Sequence, residues 1–190
     1  MTSPSKNTSQ NGLDDWVGSI IGDWRERRPD LDYSPFEVVS RVLRAAHHLQ
    51  AKTDEVAAAY GLSHTGDLDV LTNLDLGGPP HERTPSQLAE AQLVTTGGMT
   101  VRLNRLQRAG LIERRPNPRD GRGVLVRLTP LGKEIASDAL PRVMEIQASG
   151  IQGLDDPQRT HLAGLLRELL VALGDIPAFR PAIVAQRDEE

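Results

Sequence analysis

Apolar residues recur along this chain at helical spacing over most of its length. Trp16, Ile20 and Trp24 fall at i, i+4 and i+8, with Val17 and Ile21 beside them. That stripe predicts a short amphipathic helix over residues 13–28, ended by Pro29. Ser34-Pro35-Phe36-Glu37 has the form of a capping box with proline at the first helical position. The stripe Val38, Val39, Val42, Leu43, Ala46 and Leu49 then carries a second helix to about Tyr60, where Gly61 stops it. A third helix is expected over 64–76, broken by Gly77-Gly78-Pro79-Pro80. Thr84-Pro85-Ser86-Gln87 is another capping box, and Thr95 or Thr96 caps the helix after it, which ends at Gly110. Residues 111–115 and 124–128 read as strands. Thr129-Pro130 opens a long helix to Ser149, with a kink expected at Pro141, and Asp155-Asp156-Pro157-Gln158 caps a last helix to about Leu173. The fold class expected is mainly α, a winged helix-turn-helix with a small β-hairpin wing.

Charge changes this picture. From Thr95 to Arg127 the chain carries eight arginines, no lysine and two acids, a net of +6, while the whole chain is −4. One basic patch on an acidic protein marks a dedicated polyanion surface. There are no cysteines, which removes disulfides and thiolate metal sites. No apolar run approaches the ~18 residues of a membrane span, and the opening MTSPSKNTSQNG carries no hydrophobic signal core. The expectation is a soluble cytoplasmic protein with no membrane partner.

Helix, tight turn, helix, strand, Arg-rich hairpin and strand, in that order, form a reader of double-stranded DNA. The second helix of the pair, residues 96–109, would enter the major groove with its first turns at base edges. Leu103 and Leu106 must face inward, which turns Gly98, Thr100, Val101, Asn104 and Arg105 partly outward. Gly98 lets backbone approach a phosphate at the helix N-terminus. Thr95 and Thr96 can cap the helix and bond phosphate, Thr100 suits a thymine or base edge, and Asn104 suits adenine. In the wing, Pro116 to Gly123, Arg119 and Arg122 sit at the tip, where an arginine can enter a narrow minor groove, and Asp120 between them can fix an arginine's direction.

The run LxxLxRAGLIERRxxPxDxRGVLVRLTPxGK, from Leu103 to Lys133, with the helix order around it, resembles the MarR family of bacterial transcription regulators. The resemblance covers about residues 31–173. It implies a homodimer with two winged lobes on a pseudo-palindromic operator, with half-sites ~34 Å apart. The chain then divides into a disordered tail (1–12), an extra N-terminal helix (13–30), a dimerisation or core helix (31–62), the DNA-binding lobe (63–129), C-terminal dimerisation helices (130–175) and a flexible tail (176–190). The apolar stripes of the last two helices fit dimerisation, and taken alone fit intramolecular core equally.

The extra N-terminal helix with its tryptophan is similar to the urate-responsive, PecS/HucR-type subgroup. That resemblance implies a ligand set of Trp24, Asp69, Arg102 and Arg114, and a repressor released by a small anionic or aromatic ligand such as urate. GLSHTGDLDVL runs one residue longer than the subgroup's pattern before the acid, so Asp67 competes with Asp69. The other readings are an unrelated phenolic or aromatic ligand in the same cleft, or no small ligand. Read as plain structure, Trp24 glues its helix to a neighbour, Arg102 touches phosphate, and Asp69 and Arg114 form an ion pair.

The remaining chemistry is sparse. His47 and His48 are adjacent on a helix and point about 100° apart, so they do not chelate one metal. Lys52, Asp54 and Glu55 read as a solvated helix face. No nucleotide loop or nucleophile motif occurs. No cofactor, metal site or catalytic residue is expected, and the competing classes are an enzyme and an architectural DNA-binding protein without operator specificity.

Overall fold

The computed structural model describes residues 15–78, 81–118 and 120–176, with nothing said of the side chains at 120–122. The tails expected at 1–12 and 176–190 lie outside the described residues, apart from Ile176. The elements are α1 (Trp16–Arg27), α2 (Ser34–Ala59), α3 (Thr65–Leu76), β1 (Glu82–Arg83), α4 (Pro85–Ala91), α5 (Thr96–Arg108), β2 (Ile112–Asn117), β3 (Asp120–Leu128), α6 (Pro130–Gly150) and α7 (Asp156–Ala172). They fall into two compact units, Met1–Leu49 and Gln50–Glu190.

In the first unit, Asp15 caps α1 by accepting from the Gly18 amide at 2.7 Å. Val17, Ile21 and Tyr33 are buried, with Phe36 against them. The start of α2 differs from the expected capping box. Asp32 accepts from both the amide and the hydroxyl of Ser34, at 2.9 and 3.0 Å, so the helix begins one residue early. An acceptor two residues upstream wins over the serine's own capping geometry. Glu37, freed from the box, pairs with Arg25 at 2.7 Å instead.

The second unit holds the main core. Leu68, Val70, Leu71 and Leu74 of α3 meet Leu88 of α4, Met99, Leu103 and Leu106 of α5, Ile112 and Val126 of the sheet, and Ala136, Ala139 and Val143 of α6. Full burial of each large aliphatic chain is worth about 1.5–3 kcal/mol. The helix starts follow the sequence reading: Thr84 and Asp155 form complete capping boxes, and Thr95 and Thr129 cap α5 and α6. At the head of α6, Gly132 lies so close to the Leu111 carbonyl that a Cβ there would overlap it. The helix runs on through Pro141 without interruption. No residue of α7 is buried, and Leu165, Val171 and Leu173 lie open.

The sheet has three strands in the order β1-β3-β2, not two. β1 pairs Glu82 with Arg127 and Arg83 with Val126. Two residues carry no readable alternation, which is why the sequence hides this strand. The wing strands are also longer than expected, with Asn117 paired to Asp120. The register shifts between Pro116, which faces Val124, and Asn117, so residues 121–123 bulge out of the ladder. Proline has no amide to donate there.

Candidate nucleic-acid interface

α4 and α5 form the helix-turn-helix. The turn is closed by the Val94 amide donating to the Ala89 carbonyl at 3.0 Å, with Leu93 in the left-handed region at φ 51°. Met99, Leu103 and Leu106 anchor α5 in the core. Its other face is open, with Val101 60% exposed. Thr95 accepts from the Gly98 amide at 3.1 Å, and the Thr100 hydroxyl donates to the Thr96 carbonyl at 2.8 Å. Thr95, Thr96, Gly98 and Thr100 are all exposed at the N-terminal end of this helix, where positive dipole and free amides favour phosphate.

Two expected base contacts have other partners. Arg105 donates through Nε and Nη2 to the two carboxylate oxygens of Asp67, at 2.7 and 2.6 Å. The Oδ1 of Asn104 accepts from Arg114 at 2.8 Å, and Arg114 donates equally to Gln107. Reading adenine takes both the amide oxygen and the amide nitrogen of an asparagine, and in Asn104 the oxygen is already engaged. At the wing root, Arg115 donates to both oxygens of Glu82 at 2.6 Å, and Arg127 pairs with Glu113. The bonds from Arg115 hold the Glu82 carboxyl below its usual range, against the opposite pull of burial. Of the expected wing-tip contacts, Arg119 and the side chains of Asp120 and Arg122 lie outside the described residues.

A cavity of about 530 Å³ opens beside α5, among the end of α2, α3 and α4. Asp69 and Arg102 both line it, with Gln50, Asp54, His64 and Gln92. Arg102 donates to Gln92 Oε1, and its guanidinium packs over Gly66, where any Cβ would overlap it. Asp54 accepts from the Thr65 amide and hydroxyl, both at 2.7 Å, and these bonds lower its pKa. It therefore caps α3 and is not the solvated face the sequence predicted. Asp69 stays open to the cavity, yet the protein around it raises its pKa, opposed by the charge of Arg102 and reinforced by that of Asp54. Two polar atoms in the wall, Asn73 Oδ1 and Gln92 Nε2, are buried and meet no hydrogen-bond partner.

The four residues of the implied ligand set are thus placed unequally. Asp69 and Arg102 share the cavity, whereas Arg114 is tied to Asn104 and Gln107 and does not line it. Trp24 belongs to the first unit, where its ring packs against Phe36 at 5.0 Å and Tyr33 at 6.2 Å and keeps 40% of its surface exposed. Of the two competing acids, Asp67 is 1% exposed and bound to Arg105, and Asp69 lines the cavity. Gly66, Asp67, Asn73 and Gln92 are the residues that sequence reasoning missed or left in second place. A larger cleft of about 700 Å³, between α4 and the end of α7, holds none of the expected site residues. Among the described residues, no group of His, Asp or Glu is arranged to hold a metal ion, and no helix is long and apolar enough to cross a membrane.

Comparison with known proteins gives consistent matches. A model described as the MarR family matches residues 60–123. The HTH-type transcriptional regulator PecS of Dickeya dadantii is 31% identical over 79% of this chain and 90% of its own length. Among solved structures, Sco5413, a MarR family transcriptional regulator from Streptomyces coelicolor, is 28% identical with a TM-score of 0.67, covering 76% of this chain and 99% of that one. A mutant MarR from E. coli complexed with operator DNA is 25% identical with a TM-score of 0.64, covering 73% and 97%.

Proposed function

Because this chain belongs to the MarR family of DNA-binding transcription regulators, and is of the PecS type, we propose that it is a homodimeric repressor released from its operator by a flat, anionic small ligand such as urate. The DNA contacts proposed are Thr95, Thr96, Gly98 and Thr100 at the head of α5, Arg105 further along it, and Arg119, Asp120 and Arg122 at the wing tip. Asn104 joins them only if Arg114 releases its oxygen. The exposed apolar residues of α7 are the proposed dimer surface.

The observation that carries the ligand reading is the cavity wall. It presents a cation on the recognition helix, Arg102, beside the carboxylate of Asp69. Urate is flat and carries a negative charge for Arg102. Occupation would pull Arg102 away from Gln92 and repel Asp69, so the ligand would prefer a different setting of α5. That difference in affinity between two states is what a release mechanism requires. Trp24 as a stacking surface rests on the resemblance alone.

A mobility-shift assay on the chain's own upstream intergenic DNA, titrated with urate, tests this. Release of a retarded complex by urate supports both parts. A complex indifferent to urate and other purines overturns the ligand reading and leaves the regulator. Loss of the urate response in Trp24→Ala, with DNA affinity unchanged, would place that ring against the ligand.

A further inference from the structure

We propose that Arg105 is the chain's guanine reader and that Asp67 is the positioning residue that aims it; the inference rests on the DNA-binding reading above. The pair is asymmetric. Asp67 is 1% exposed, on the first turn of α3, while the Arg105 side chain is 37% exposed on the recognition helix. Both oxygens of Asp67 are used, one on Nε and one on Nη2. A planar guanidinium held along that edge cannot swing. Its neighbouring edge, formed by Nη1 and the outer hydrogen of Nη2, makes no bond to Asp67, on a side chain that keeps 37% of its surface exposed.

That free edge carries two parallel donors in a fixed plane, the geometry that matches O6 and N7 of guanine in the major groove. An unheld arginine loses rotamer freedom when it docks, and one clamped beforehand loses much less. Arg105 also stands one helical turn after the exposed Val101, half-buried in the last turn of α5. Arg102 and Arg114 are turned to other tasks by Gln92 and Asn104. The bidentate pair with Asp67 is therefore more than a strut between α3 and α5: it converts a flexible cation into an oriented reading edge. A strut alone would weaken binding to every sequence alike when removed. A reader fails at one base pair.

The test uses the full-length protein and DNA. Selection from a randomised duplex pool gives the preferred site, and each guanine in it is replaced singly by 7-deazaguanine, which lacks the N7 acceptor. The proposal expects one guanine per half-site at which the replacement weakens wild-type binding on the order of ten-fold or more. In Arg105→Ala the same replacement should have no further effect. Asp67→Asn should lower discrimination at that guanine while discrimination elsewhere in the site persists. If wild type selects a site but no guanine couples to Arg105, the proposal is overturned and the DNA-binding reading stands. If no site is selected at all, both fall together. The base analogue acts on unaltered protein, so a misfolded variant cannot imitate the expected result.

Discussion

Gly66→Ala separates the cavity's proposed function from the protein's stability, because the first is expected to fall while the second stays close to that of wild type. Gly66 sits in the first turn of α3 without an unusual backbone angle, and the three atoms nearest to a Cβ there all belong to the Arg102 guanidinium lying over it. That guanidinium is the far end of a flexible chain and can move, at the loss of its bond to Gln92. Alanine in place of glycine within a helix gains roughly 0.5–1 kcal/mol. Against it stands the bond to Gln92, a hydrogen bond to a charged group worth about 1.5–3 kcal/mol if nothing replaces it, and less here because water can replace it. The net change in stability is expected to lie within about 1 kcal/mol, or roughly 2–4 °C in Tm for a chain of this size. The cavity, however, loses its oriented cation. An anionic ligand at a hundred times its Kd raises stability by about 2.7 kcal/mol, or roughly 5–11 °C. If losing Arg102 weakens binding a hundred-fold, the same concentration gives about 0.4 kcal/mol, close to 1 °C. Thermal melts with and without urate, beside mobility shifts, make the measurement. A variant that keeps the full urate shift would refute the placement of Arg102 against the ligand. A Tm lowered by ten degrees without ligand would show that Arg102 cannot leave, and the steric reasoning would fall.

Gly132→Ala should behave differently, because its Cβ meets the Leu111 carbonyl, which is fixed backbone and already accepts from the Thr129 amide at 3.0 Å. Overpacking of this kind costs about 1–3 kcal/mol or more, and a chemical denaturation curve with an unchanged midpoint would contradict it. Asp69→Asn should raise the Tm at neutral pH, since the folded protein raises the Asp69 pKa and so disfavours its charged form. Lowering the pH below the usual aspartate range should erase the difference, because wild type is then neutral at that site too; a gap that widens on acidification would refute it. Glu82→Gln has the reverse sign. Arg115 lowers the Glu82 pKa, so that carboxylate stabilises the fold above its ordinary titration range and stops doing so as acid protonates it. The variant should therefore be less stable than wild type at neutral pH and converge with it in acid, as read from melts across pH.

What could be read from the sequence was local. The boxes Thr84 to Gln87 and Asp155 to Gln158 work within four residues, and both form. The order of helix pair, strand and Arg-rich hairpin carried the DNA-binding lobe for the same reason. The Ser34 box failed because Asp32, also nearby, offered the serine a better acceptor. β1 escaped notice because a two-residue strand exists only by virtue of the partner it finds in β3. In the site, residue types were legible and pairings were not. Arg105 and Asp67 lie 38 positions apart, and nothing periodic connects them. Arg114 was expected beside the ligand and instead binds the asparagine that was expected on the DNA. Side chains from separate elements choose among several polar partners, and that choice is made by packing.

The first turn of α3 serves two masters. Gly66 and Asp69 shape the cavity, and Asp67 between them holds the recognition helix. Anyone retuning this protein as a biosensor meets a design constraint there. On the roles proposed for Asp67 and the cavity, changing the effector by altering that turn would change the operator as well, and a library built on it would select for compromise. Gln50 lines the same cavity from α2, whereas His64 stands at the N-cap of that turn and Gln92 holds Arg102 of the recognition helix. On the roles proposed above, Gln50 is the position at which a new effector can be sought while the promoter stays the same.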